Sequence, residues 1–191
     1  MNERDEVIQD IGYTKFVVRH FTNAHGEERS WGMIRFNVYG PAALVLPVTN
    51  ARTVVLERSY RIPMKAHVIE LPGGSNDVEG ETLQAVAARE LCEETGYTGG
   101  EYRQVGMIPE SPGGTDQMIA LYIAQGVERT RETSLGADEV IEVLEIPLSK
   151  VLSYLRTSSD PVDPKVYAAI MLLPKELLQE VVNGDKETLI G

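Results

Sequence analysis

The order of patterned segments predicts an α+β fold or a mixed α/β sandwich. Three observations carry the prediction. Strand-like runs dominate the first half of the chain, one amphipathic helical segment interrupts them near the middle, and further helical segments gather at the end. The strict strand-helix alternation of a doubly wound sheet is absent.

Taken in order, the extended runs are YTKFVVRHF (13–21), SWGMIRFNVY (30–39), AALVLPV (42–48), TVVLE (53–57) and HVIEL (67–71). Each is rich in Val, Ile or aromatic residues, and turn residues such as Asn23, Gly26, Gly40 and Asn50 separate them. Further strands are expected at 102–108, 117–125 and 139–146. Helices are expected at 82–95, 149–156, 164–173 and 175–183, with Asp163-Pro164 as a start signal and Asn183-Gly184 as a stop. The turn after Tyr39 divides an N-terminal antiparallel β subdomain, residues 1–40, from a main domain, residues 41–191.

Composition narrows the function classes. With 29 acidic and 18 basic residues the net charge is −11, and such a surface repels phosphate backbones and anionic lipids. Neither nucleic acid nor membrane is therefore an expected partner. No apolar run approaches the roughly 20 residues needed to span a bilayer. The start, MNERDEVIQD, lacks the basic and apolar regions of a signal peptide, and a single cysteine, Cys92, allows no intrachain disulfide. A cytoplasmic protein is the expectation.

The segment RELCEETGY (89–97) is the most informative stretch. At about 100° per residue, Leu83, Val86, Ala87 and Leu91 share the face of the 82–95 helix that should be buried. Glu90 and Glu94 project within about 20° of Leu83, on that same apolar face, and Glu93 falls at its edge. Three carboxylates near a helix C-terminus also oppose the macrodipole. Ionised carboxylates are sustained on such a face only by a wet cleft, a basic partner or a divalent cation. Glu90 and Glu94, at i and i+4, put oxygens on adjacent turns, which suits a hard cation such as Mg²⁺. Arg89 is placed to pair with Glu93, and Gly96 should end the helix.

GETLQAVAARELCEETGY resembles the box of the Nudix hydrolases, with Glu81, Arg89, Glu90, Leu91, Glu93, Glu94, Gly96 and Tyr97 matching in spacing. One position departs: the family's leading glycine is Ser75 here, so the loop 75–80 carries one extra residue after Gly74. Arg58-Ser59-Tyr60-Arg61 followed by Glu70-Leu71-Pro72-Gly73-Gly74 is similar to the segment entering the box in ADP-ribose pyrophosphatases, and Pro112 in SPGGTD is the proline marker of that subgroup. The segment ADEVIEVLEIP (137–147) resembles the loop and strand that supply an additional catalytic glutamate, at Glu139, with Asp138 and Glu142 as alternatives.

The resemblance implies a Nudix fold, an α/β/α sandwich with a mixed sheet. It implies metal-dependent hydrolysis of the pyrophosphate bond of a nucleoside diphosphate sugar, with Mg²⁺ or Mn²⁺ as cofactor. ADP-ribose is the favoured substrate, giving AMP and ribose 5-phosphate. GDP-mannose or another nucleotide sugar is the alternative, and a non-catalytic nucleotide-sugar-binding module is a reading of another class. It implies metal ligation by Glu90, Glu94, Glu93 and the Gly73 carbonyl. Arg89 would orient, Glu81 would steady the loop, and Glu139 would act on the attacking water. Arg58, Arg61, Glu70, Gly113 and Gly114 would contact substrate, through bidentate arginine contacts and close backbone approach. The N-terminal subdomain would take part in a homodimer. His20, His25 and His67 have no ligand spacing, and Trp31 reads as a core or interface aromatic, with base stacking as the alternative.

Overall fold

The computed structural model of the chain describes residues 3–190, with side chains through Lys186. The first three strands, β1 (Glu3–Asp10), β2 (Thr14–Thr22) and β3 (Glu28–Phe36), form a separate antiparallel sheet in that order. β1 was not expected from the sequence. All eight of its residues are exposed, so neither face imposes an apolar alternation. Its charges tie it down: Asp5 accepts from Arg19 Nε at 2.7 Å and from Arg35 Nη2 at 2.7 Å.

The second sheet has seven strands: β4 (Ala42–Thr49), β5 (Thr53–Arg61), β6 (Ala66–Glu70), β7 (Gly73–Gly74), β8 (Tyr97–Pro109), β9 (Met118–Arg129) and β10 (Ile141–Pro147). The path is β10-β5-β4-β9-β8, with β6 on β5 and β7 on β4. Only β4 and β9 run parallel among the described pairs, so the sheet is mixed as the sequence predicted. β5 extends well beyond the expected 53–57, a difference that matters for the site below.

Helix α1 (Leu83–Thr95) covers one face of this sheet, burying Val86, Ala87 and Leu91 against Val45, Val55 and Tyr122. α2 (Val151–Thr157), α3 (Pro164–Met171) and α4 (Lys175–Ile190) cover the other, where Val166, Ile170 and Leu177 meet Leu46, Leu56 and Ile123. A 3₁₀ turn, Leu148–Lys150, leads into α2. The result is an α/β/α sandwich with the small antiparallel sheet beside it. Among the described residues no helix is long and apolar enough to cross a membrane.

The loop between β8 and β9 joins the two sheets. Ile34 N donates to the Gly114 carbonyl at 2.8 Å, Trp31 Nε1 to the Gly113 carbonyl at 3.0 Å, and Arg35 Nε to Asp116 at 2.8 Å. Trp31 is therefore an exposed aromatic held by its indole N–H, and not a core residue.

One predicted stop fails. α4 runs through Asn183-Gly184 instead of ending there. Gly184 serves packing: a Cβ at this position would overlap the carbonyl of Ser149 in the 3₁₀ turn. Helix and turn approach more closely than any side chain permits. Gly184→Ala should accordingly destabilise the fold by about 1–3 kcal/mol despite alanine's better helix propensity. Urea unfolding of the variant measures this.

Candidate active site

Three elements build the site. α1 starts with Thr82, whose hydroxyl accepts from Ala85 N at 3.2 Å, and ends at Gly96 in the left-handed conformation. It crosses the sheet over β4 and β7, and Glu90 and Glu94 follow the buried stripe as the periodicity predicts. Glu94 is 9% exposed and the Glu90 side chain 15%, whereas Glu93, at the edge, is 45% exposed.

The Gly73-Gly74 pair of β7 makes room for these carboxylates. A Cβ on Gly74 would collide with the Glu90 carboxylate, and one on Gly73 with the backbone of Ala43 and Leu44. The N–H of Gly73 donates to Glu94 Oε2 at 2.8 Å. Gly74 is needed because strand backbone and the Glu90 carboxylate leave no space for a side chain, and Gly73 because the β4 backbone leaves none on its other side.

Arg89 organises the open side. Its guanidinium donates to Glu90 at 2.8 Å, to Glu93 at 3.2 Å, to both oxygens of Glu81 at 3.2 Å, and to Asp77 at 3.4 Å. Sequence spacing predicts the Glu93 contact; the structure adds three further carboxylates. Glu81 thus fastens the start of the box loop to the helix through Arg89.

The sequence reading misses Glu57, a β5 residue whose carboxyl interacts with Glu94. It is 2% exposed, its carboxyl lies within hydrogen-bonding reach of Glu94, and its Oε1 has no hydrogen-bond partner among the described residues. A strand ending at residue 57 would leave this glutamate at a solvated tip. The signal available was the continuous apolar run Val54-Val55-Leu56, which marks a strand buried on both faces. Burial raises the carboxyls of both Glu57 and Glu94; the Glu94 charge raises Glu57 further and the Glu90 charge raises Glu94, while the Gly73 N–H and a hydrogen bond from Glu57 pull Glu94 down. Burial also raises Glu90, against the pull of Arg89. Such a cluster ionises fully only when positive charge is brought to it.

Alternation along β5 sorts the remaining residues. Val55, Glu57, Ser59 and Arg61 face α1, whereas Leu56 and Arg58 face α2–α4. Arg61 forms an ion pair with Glu70 on β6, on the carboxylate side. Sequence proximity groups Arg58 with Arg61, but the strand separates them. Arg58 binds Asp160 at 2.7 Å and Glu142 at 3.4 Å on the far face. Glu142, an alternative for the catalytic loop carboxylate, is thereby turned away as well. Glu139 and Asp138 stand in the exposed loop before β10, where Glu139 Oε2 accepts from Gly136 N at 2.6 Å. The charge of Glu139 still reaches Glu94 and adds to the rise of its carboxyl. Gly113 and Gly114 turn their carbonyls to the N-terminal sheet, and Gly113 lines a cavity of about 340 Å³ with Arg19, Phe21 and Trp31.

The donors around Glu94 are all oxygens, which fits a hard divalent cation. Among the described residues no three His, Cys, Asp or Glu side chains already converge on one ion position. Glu90 and Glu93 instead turn to Arg89, so ligation requires that guanidinium to yield oxygens it now holds.

Comparison with known proteins places this geometry. The NUDIX domain profile matches residues 38–170. The chain is 33% identical over 140 residues to an ADP-ribose pyrophosphatase of Bacillus subtilis, covering 72% of this chain and 75% of that protein. It is 30% identical over 139 residues to a methanol dehydrogenase activator of Bacillus methanolicus, covering 72% and 71%. It is 29% identical over 163 residues to a GDP-mannose pyrophosphatase of Escherichia coli K12, covering 81% and 84%. A crystal structure of an ADP compounds hydrolase superposes with a TM-score of 0.70 at 18% identity, covering 95% of this chain and 93% of that one.

Replacing Arg89 by Ala should destabilise the protein by about 2 kcal/mol, because the carboxylates it joins lose their common cation in a half-buried setting. Arg89→Lys should recover only part of the loss, since a point charge cannot serve Glu81 and Glu90 together. Chemical denaturation of both variants checks the order. The carboxylate helix, the glycine pair beside it and the matched domain together show that the chain belongs to the Nudix hydrolase family.

Proposed function

We propose that the protein hydrolyses the pyrophosphate bond of a nucleoside diphosphate sugar, with ADP-ribose as the favoured substrate and AMP and ribose 5-phosphate as products. The observation that carries this reading is the pair Glu90 and Glu94 on the buried face of α1 beside Gly73. The relatives named for ADP-ribose and GDP-mannose hydrolysis support the substrate class, and GDP-mannose remains the alternative.

In this reading Glu90, Glu94, Glu93 and the Gly73 carbonyl hold Mg²⁺, or Mn²⁺. When bound, the cation offsets diphosphate charge and activates the attacking water. Arg89 holds the carboxylates in register and yields them on ligation. Glu139, on its loop, orients the water and takes its proton, with Asp138 beside it as the alternative. Arg61 contacts the diphosphate and Glu70 the base or ribose, so substrate binding opens the ion pair that now joins them. Arg58 and Glu142 are left out because they occupy the opposite face. Gly113 and Gly114 shape the wall contributed by the N-terminal sheet.

The working form is a homodimer in the cytoplasm. Val7 and Trp31 stand exposed on one face of the small sheet and Phe16 on the other, and a second copy of the chain that wraps the sheet would cover them. Sedimentation equilibrium should return twice the chain mass; a monomer at micromolar concentration would contradict the dimer.

Incubation with Mg²⁺ and ADP-ribose should release AMP. Glu94→Gln should lower turnover by on the order of 10³-fold with an unchanged far-UV spectrum. A parallel panel with GDP-mannose distinguishes the substrates. Tight binding of ADP-ribose without AMP release would favour the binding-module reading instead.

A further inference from the structure

We propose that Glu57 is an additional oxygen ligand of the divalent cation, contributed by the sheet and not by the helix. The inference rests on the reading of Glu90 and Glu94 as ligands and extends that set to a residue outside the Nudix box.

Three observations support it. Glu57 is 2% exposed and its carboxyl reaches Glu94, so two carboxylates share one small volume. Its Oε1 is buried with no hydrogen-bond partner among the described residues. Arg61, the cation on the same face of β5 whose charge acts on Glu57, is committed to Glu70. A carboxyl kept only to brace Glu94 would have its second oxygen satisfied, as buried polar atoms usually are. Here that oxygen is left over. The Ser59 hydroxyl, the next side chain on the same face of β5, is likewise buried with no hydrogen-bond partner among the described residues. A hard cation that takes several oxygens and retains some of its water accounts for both orphaned groups. Placement on β5 also differs in kind from placement on α1. The strand is paired on both sides, to β10 and β6, at Glu57 itself, so this oxygen is fixed to the sheet while Glu90 and Glu94 move with the helix.

The discriminating variant is Glu57→Gln. Gln keeps the shape of a neutral carboxylic acid and can still donate to Glu94, so a bracing role survives the change while a charged ligand is lost. Metal-free wild type, Glu57→Gln and Glu94→Gln are titrated with Mn²⁺, and free Mn²⁺ is read from its electron paramagnetic resonance signal. About a tenfold weaker affinity is expected for Glu57→Gln. An affinity within threefold of wild type overturns the proposal. If Glu94→Gln alone weakens binding, Glu57 is no ligand and the reading of the helix stands. If neither variant weakens it, both fall. Should Glu57→Gln fail to fold by far-UV circular dichroism, wild-type crystals soaked in Mn²⁺ decide. An anomalous peak within about 2.5 Å of a Glu57 oxygen supports ligation, and a bound ion with both Glu57 oxygens beyond about 3.5 Å overturns it.

Discussion

Desolvation of carboxylates is the constraint around which this molecule is arranged. Glu94 and Glu57 are buried almost as deeply as the leucines around them, and Glu90 is only slightly more exposed. Charges in that position cost several kcal/mol each unless opposite charge and hydrogen bonds offset the loss of water. Within the chain the offsets are partial. The Gly73 N–H serves one oxygen of Glu94, Arg89 serves the outer carboxylates, and one Glu57 oxygen has no hydrogen-bond partner among the described residues. The shortfall is what makes the cluster receptive to a cation.

Much of the surrounding architecture keeps that cluster in place. The α2–α4 layer packs the far face of the sheet with Leu and Ile, so β4 and β5 are rigid supports for β7 and Glu57. The Gly73-Gly74 pair lets backbone approach the helix carboxylates, and Arg89 ties helix to box loop through Glu81 and Asp77. The loop 111–117, bonded to β3, links the small sheet to the same side of the chemistry-bearing domain.

The helix and its carboxylates were legible in the sequence because two independent patterns coincide there, the apolar period and the fixed spacing of the box. β2 through β6, β8, β9 and β10 were legible from their β-branched runs, although β5 and β9 run four residues past their expected ends and β8 starts five residues before its expected start. What was not legible depends on contacts between distant segments. β1 has no buried face to imprint a pattern. Gly184 reads as a helix stop until Ser149 is seen against it. Arg58 and Arg61 look alike as neighbours, yet three positions along a strand place them on opposite faces, and only the sheet tells which face carries the carboxylates. Glu57 was hidden because its meaning comes from Glu94, distant in the chain and adjacent in the fold.

The central claim is that these buried carboxylates form a divalent-cation site, and linkage between metal and stability tests it most directly. If the folded cluster binds Mg²⁺ and the unfolded chain does not, stability in urea should rise with the logarithm of Mg²⁺ concentration, by about 2.7 kcal/mol at a hundredfold excess over the dissociation constant, and chelation should reverse the gain. Stability that stays flat into the millimolar range, in a protein otherwise folded, would contradict it.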